Sequence, residues 1–145
     1  GNPMADAILN SKISLARAQR IQVQADAHIP VALALSELDL CIILGNLFDN
    51  AIEASLALPE AERLIRVYLD RKGAQLYISF TNFTAVKKRS KTGGRFQTTK
   101  GEGHGFGLVR IDAIVERLGG YLSRNSEDGA FTTEILLPIS QGETS

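Results

Sequence analysis

Cysteine is almost missing from this chain. Cys41 stands alone among 145 residues, so no internal disulfide is available and the fold has to rest on packing. An excess of either charge is missing as well: 16 basic and 16 acidic side chains cancel. That removes the electrostatic support for a nucleic-acid or membrane-surface partner. No apolar run approaches the ~20 residues that cross a bilayer, and no charged-then-apolar leader opens the chain. The chain therefore reads as soluble, suited to a reducing compartment and without direct membrane contact. What is present, 44% hydrophobic residues over 145 positions, is enough for the core of a single domain spanning residues 1–145. Cys41 falls in the apolar run from Leu40 to Leu44, where a small buried hydrophobe is expected.

The pattern alternates between two periods. Met4, Ala7, Ile8, Ile13, Leu15 and Ala16 lie mostly at helical spacings between Pro3 and Arg20, with Pro3 suited to a first turn. Ile21 to Ala25 alternates like a half-buried strand, and Pro30 interrupts the next segment. Ser36-Glu37-Leu38-Asp39 has a capping box's hydroxyl and carboxylate three apart. It predicts a long helix running to about Leu58, ended by Pro59. Strands are expected over Ile65 to Leu69 and Leu76 to Thr81, joined through Arg71-Lys72-Gly73-Ala74. From about Phe83 to Gly103 there is neither period, only cations and glycines, which reads as a lid. A helix from Phe106 to Leu118, closed by Gly119-Gly120, precedes strands at Tyr121 to Arg124 and Phe131 to Leu137. Helices with mostly hairpin-connected strands imply a two-layer α/β sandwich, a mixed sheet covered on one face by helices.

The long helix carries a polar stripe. Asp39, Asn46, Asn50 and Glu53 are offset by seven, four and three, which keeps them on one face. Two readings stand open. The stripe is a solvated helix face, or it is a site; asparagine is a weak helix former where Lys or Glu would serve a solvated face better. An asparagine pair one turn apart suits phosphate oxygens and Mg²⁺, which prefers oxygen ligands. Likewise the run Thr98-Thr99-Lys100-Gly101-Glu102-Gly103-His104-Gly105-Phe106-Gly107-Leu108 is either a hinge or a phosphate cradle feeding a helix N-terminus. It is not a Walker loop, because no Lys-Ser/Thr pair comes after its last glycine.

Leu44-Gly45-Asn46-Leu47-Phe48-Asp49-Asn50-Ala51-Ile52-Glu53-Ala54 resembles the asparagine box of the ATPase superfamily shared by gyrase, heat-shock chaperones, mismatch-repair ATPases and histidine kinases. Its form is most similar to sensor kinases of the citrate/fumarate and quorum-sensing groups. The glycine run resembles the second glycine box of histidine kinases and lies beyond the first motif at the family's offset. The resemblance implies a Bergerat-type ATP-binding fold. It also implies ATP and Mg²⁺ as cofactors, and transfer of the γ-phosphoryl group to a histidine on a separate dimerisation domain, with a response regulator downstream. It implies Asn50 as the metal ligand and Asn46 as the group positioning phosphate and metal-bound water. Lys100, Gly103, His104, Gly105, Phe106, Gly107 and Leu108 would lie around the phosphates, and Thr133 in the nucleotide site. An amide at position 46 cannot take a proton from water near neutral pH, which favours phosphoryl transfer over hydrolysis.

Three features qualify the match. The family's Asp-x-Gly-x-Gly is replaced by Thr81-Asn82-Phe83-Thr84-Ala85-Val86; Asn82 would accept from the adenine amino group without charge, and the lost glycines imply weak to moderate nucleotide binding. Lys100 and its neighbouring cations serve either a triphosphate or solvent. Neither His28, just after a strand, nor His104, in the glycine run, has the helical setting of a phosphoacceptor, so the accepting domain is expected to be absent. Two other functions share the fold: a stand-alone serine kinase of the anti-sigma-factor type, and a nucleotide-independent interaction module. The domain is expected to belong to the cytoplasmic part of a membrane-anchored bacterial sensor.

Overall fold

A computed structural model describes residues 3–31, 33–84 and 105–139, with the backbone alone at Gly105 and Phe106. In chain order the elements are helix α1 (Pro3–Ala18), strand β1 (Gln22–Ala27), helix α2 (Glu37–Leu56), a 3-10 turn (Glu60–Glu62), strands β2 (Leu64–Lys72) and β3 (Gln75–Phe83), helix α3 (Gly105–Arg117), and strands β4 (Tyr121–Glu127) and β5 (Ala130–Pro138). The five strands form one sheet in the order β1-β2-β3-β5-β4. Only β1 and β2 are parallel; every other pair is antiparallel. This is the expected mixed sheet.

Alternation decides which face the helices cover. Val67, Phe80 and Thr133 share one cross-strand row, and Leu69, Ile78 and Ile135 share the next. All six are buried, as period two requires on a half-covered sheet. Their sequence neighbours Arg66, Tyr68, Tyr77 and Glu134 lie on the other, partly exposed face. From the helical layer α2 supplies Leu40, Ile43, Leu44, Leu47, Phe48, Ala51 and Ile52, all buried. Removing each of the larger side chains from water contributes about 1.5–3 kcal/mol. Phe48 meets Phe80 edge to face, ring centroids 4.9 Å apart, and locks the helix to the central strand.

Ser36 caps α2 as its sequence predicts, its hydroxyl accepting from the Asp39 N–H at 3.2 Å. The C-terminal end is satisfied differently. The last turn of α2 contains no basic residue; instead Arg63 folds back, donating from Nε to Leu58 O at 2.9 Å and more distantly from Nη2 to Leu56 O at 3.5 Å. Its Nη1 donates to Gln19 O at 3.0 Å, just past the end of α1. One guanidinium thus meets the carbonyl ends of two helices, where positive charge is favourable. The helices are parallel and in register. The Met4 carbonyl meets Cys41, Lys12 meets Asp49, and Gln19 and Leu56 share Arg63, each pair 37 residues apart. Arg63→Ala is expected to cost about 2 kcal/mol, lowering Tm by roughly 6–10 °C, with Arg63→Lys recovering only part because a lysine cannot fork. A chemical denaturation curve indistinguishable from wild type would contradict this.

Some bounds differ from those expected. Phe83 closes β3, and the Thr84 N–H donates to Gly129 O at 2.9 Å, so the segment expected as a lid starts later than Phe83; its remainder lies outside the described residues. The strands at Tyr121 and Phe131 are longer than predicted, ending at Glu127 and Pro138. Cys41 is partly exposed, not fully buried as expected; burial, then the charge of Glu37, push its thiol pKa up. Gly119 takes φ +73° at the end of α3, and a Cβ on Gly120 would lie 2.5 Å from Leu136 O, so this helix end needs both glycines.

Candidate functional site

Asn46 and Asn50 project from the same face of α2, and the start of α3 lies against them. The closest approach is at Gly107. A Cβ built there would sit 3.1 Å from Asn46 Oδ1 and 3.7 Å from Asn50 Oδ1. A side chain at this position would press on the asparagine amides, so glycine gives α3 its close approach without displacing them. The amide of Asn46 is oriented by its own helix, because Nδ2 donates to Ile42 O at 2.9 Å. Its oxygen is thereby turned toward Gly107. Among the described residues the Asn50 amide has no hydrogen-bond partner, although the residue is half-buried, a state polar groups rarely keep without a ligand or water. Two neutral oxygens therefore stand together beside the N-terminal end of a 13-residue helix, where unpaired N–H groups favour anions.

The far end of α3 is pinned. Arg117 holds Asp39 with two bonds of 2.9 and 3.2 Å, and Arg124 of β4 holds Asp112 with 2.7 and 3.4 Å. Hydrogen bonding to Asp39, then its charge, keep the Arg117 pKa above its ordinary value. Asp39 thus leaves the polar stripe to serve an ion pair, a partner 78 residues away that periodicity cannot reveal. Glu53, by contrast, is exposed on the site's face.

Asn82 and Thr133 lie on the helix-covered face of the sheet at 6% and 4% exposure. Thr133 is opposite Phe80, and Asn82 is two residues farther along β3, opposite Phe131. Apart from Ser55, they are the only buried polar residues among those described. The one hydrogen bond of the Asn82 side chain among the described residues is a long one, Nδ2 to Phe83 O at 3.5 Å. Leu108 is half-buried in α3. Gly105 and Phe106 begin that helix; Lys100, Gly103 and His104 lie outside the described residues. His28 is on the surface, its Nε2 2.7 Å from Asp26 Oδ1. Two residues were missed by sequence reasoning: Arg117, which anchors α3, and Ser55, whose buried hydroxyl has no hydrogen-bond partner among the described residues.

Comparison with known proteins bears on this arrangement. Residues 35–138 match the GHKL domain. The chain belongs to the GHKL domain family. This GHKL domain is 34% identical over 109 residues to a probable C4-dicarboxylate sensor kinase of Halalkalibacterium halodurans, covering 72% of the chain and 20% of that relative. It is 27% identical over 141 residues to the sensor protein CitS of Bacillus subtilis, covering 91% of the chain and 25% of the relative. It therefore spans about a fifth to a quarter of these curated relatives. Among solved structures, the nucleotide-free catalytic domain of histidine kinase ThkA superposes with TM-score 0.72 at 18% identity, covering 97% of this chain and 94% of that one. The mycobacterial sensor histidine kinase MprB gives 0.69 at 18% identity, with 97% and 95% covered. The fold of this GHKL domain is that of histidine kinase catalytic domains. No helix among the described residues is long and apolar enough to cross a membrane.

Proposed function

We propose that this GHKL domain binds ATP with Mg²⁺ and transfers the γ-phosphoryl group to a histidine on the dimerisation domain of its parent sensor kinase. The observation that carries the reading is the close approach of Gly107 to Asn46 and Asn50, which brings together two motifs about 60 residues apart in the sequence. The donor set fits the metal. Hard divalent cations take oxygen ligands and keep several waters, and the two amide oxygens supply protein oxygen at that point. Among the described residues no three His, Cys, Asp or Glu side chains could gather a metal by themselves, so the remaining ligands would come from phosphate and water. When bound, Mg²⁺ would neutralise charge on the phosphate oxygens.

The protein's part is positioning. Asn50 Oδ1 would hold the metal and Asn46 Oδ1 its water, the latter fixed by the bond to Ile42 O. The N–H groups opening α3 would cradle phosphate together with Lys100, Gly103 and His104. Asn82 would accept from the adenine amino group, with Thr133 two residues along the neighbouring strand from Phe131, its cross-strand partner. With an amide at position 46 no group there takes a proton from water, so the phosphoryl group is kept for an incoming histidine. The parent would be a membrane-anchored bacterial sensor that passes phosphate to a response regulator.

Radiolabelled ATP with Mg²⁺ is expected to leave the isolated chain unlabelled and to label the dimerisation domain, added in trans, on histidine. Stoichiometric acid-labile label on this chain alone would refute the division of labour. Brisk phosphate release that disappears in Glu53→Gln would show a hydrolase instead.

A further inference from the structure

We infer that Glu53 makes this site selective for metal-complexed over metal-free nucleotide. The inference rests on the nucleotide reading above and assigns a residue which that reading leaves without a role. Glu53 lies seven residues beyond Asn46 and three beyond Asn50, two turns and less than one turn of helix, so all three lie on one narrow face. The two asparagines face the start of α3 through Gly107, and Glu53 continues their line, exposed. The other carboxylates of α2 from Asp39 onward are already matched: Asp39 by Arg117 at 2.9 Å and Asp49 by Lys12 at 2.7 Å. Among the described residues Glu53 has no such partner.

Asn46 and Asn50 offer acceptor oxygens and no charge. With Asp39 and Asp49 offset by Arg117 and Lys12, Glu53 is the unmatched carboxylate of α2 beside them among the described residues. A carboxylate beside two amide oxygens draws a divalent cation, whereas a bare triphosphate arriving at the same place meets like charge. At separations of several ångströms near a protein surface, such a charge is worth roughly tenfold in affinity. The result is discrimination: the nucleotide is accepted with its metal and disfavoured without it. Because Glu53 is exposed, replacing it removes the charge without disturbing the core.

The test is calorimetric binding of the β,γ-imido analogue of ATP to the chain, once with Mg²⁺ and once with a chelator, at low ionic strength. The wild type should favour the metal form, and Glu53→Gln should narrow the ratio of the two affinities by roughly tenfold. Glu53→Lys should narrow it further by strengthening metal-free binding, while Glu62→Gln, an exposed carboxylate beyond the end of α2, should leave it unchanged. Measurable binding with the same ratio in wild type, Glu53→Gln and Glu53→Lys would overturn the assignment while sparing the nucleotide reading. No binding by the wild type under either condition would overturn both.

Discussion

Gly107→Val should weaken nucleotide binding about ten- to hundredfold and leave the fold standing. The first added carbon would lie 3.1 Å from Asn46 Oδ1 and 3.7 Å from Asn50 Oδ1, and valine's two branches extend beyond it. Either α3 retreats or the asparagine amides turn aside. Both outcomes separate the oxygens from the helix N-terminus that are proposed to act together. Forcing extra carbons into a tight contact costs about 1–3 kcal/mol, which corresponds to about ten- to hundredfold in affinity if it falls on the bound state. Gly107→Ala should give a smaller loss, because a contact of 3.1 Å needs only a few tenths of an ångström of adjustment. Stability should move the other way in the alanine variant, since glycine inside a helix costs roughly 0.5–1 kcal/mol relative to alanine. Lower affinity with an equal or higher melting temperature is the expected signature, read by calorimetry and thermal unfolding. Wild-type affinity in Gly107→Val would disconnect the glycine run from the nucleotide.

Asn50→Ala is expected to abolish Mg²⁺-dependent nucleotide binding and, in the complete kinase, phosphotransfer. Loss of groups that merely orient metal ligands already costs ten- to hundredfold, so loss of the proposed ligand should cost roughly hundredfold or more. The fold has little at stake, because the Asn50 amide makes no hydrogen bond to the described residues and the residue is only half-buried. Asn50→Asp, which keeps an oxygen in the same place, should retain metal-dependent binding. Phosphotransfer at the wild-type rate in Asn50→Ala would exclude Asn50 as the essential ligand.

Much of this architecture is legible in the sequence because its determinants are local. Ser36 with Asp39, the alternation of Leu76, Ile78 and Phe80, and the left-handed Gly119 after α3 each act within a few residues. What escapes is nonlocal. The parallel pairing of β1 with β2 joins Val23 to Ile65 and leaves no mark in either run. Charged ends hide strand length: Asp70, Arg71 and Lys72 continue β2 although their composition suggests a turn. The same limit applies to the site. Periodicity places Asp39 with Asn46 and Asn50, yet only the fold shows that Arg117 claims it. Alternating glycines suggest close approach to a phosphate, while the structure gives Gly107 a neighbour inside the protein. Arg63 had a faint signal, an arginine seven residues after an α2 end that lacks a cation of its own.

The constant offset between α1 and α2 has a mechanical meaning. Contacts at Met4 and Cys41, Lys12 and Asp49, and Gln19 and Leu56 through Arg63 span the length of both helices. Sliding one helix past the other would break all three levels together, so small loads move the pair as one strut instead of shearing it. Asn46 and Asn50 ride on that strut. A displacement delivered to α1 would therefore move the two oxygens relative to the sheet beneath, which meets α2 chiefly through apolar packing.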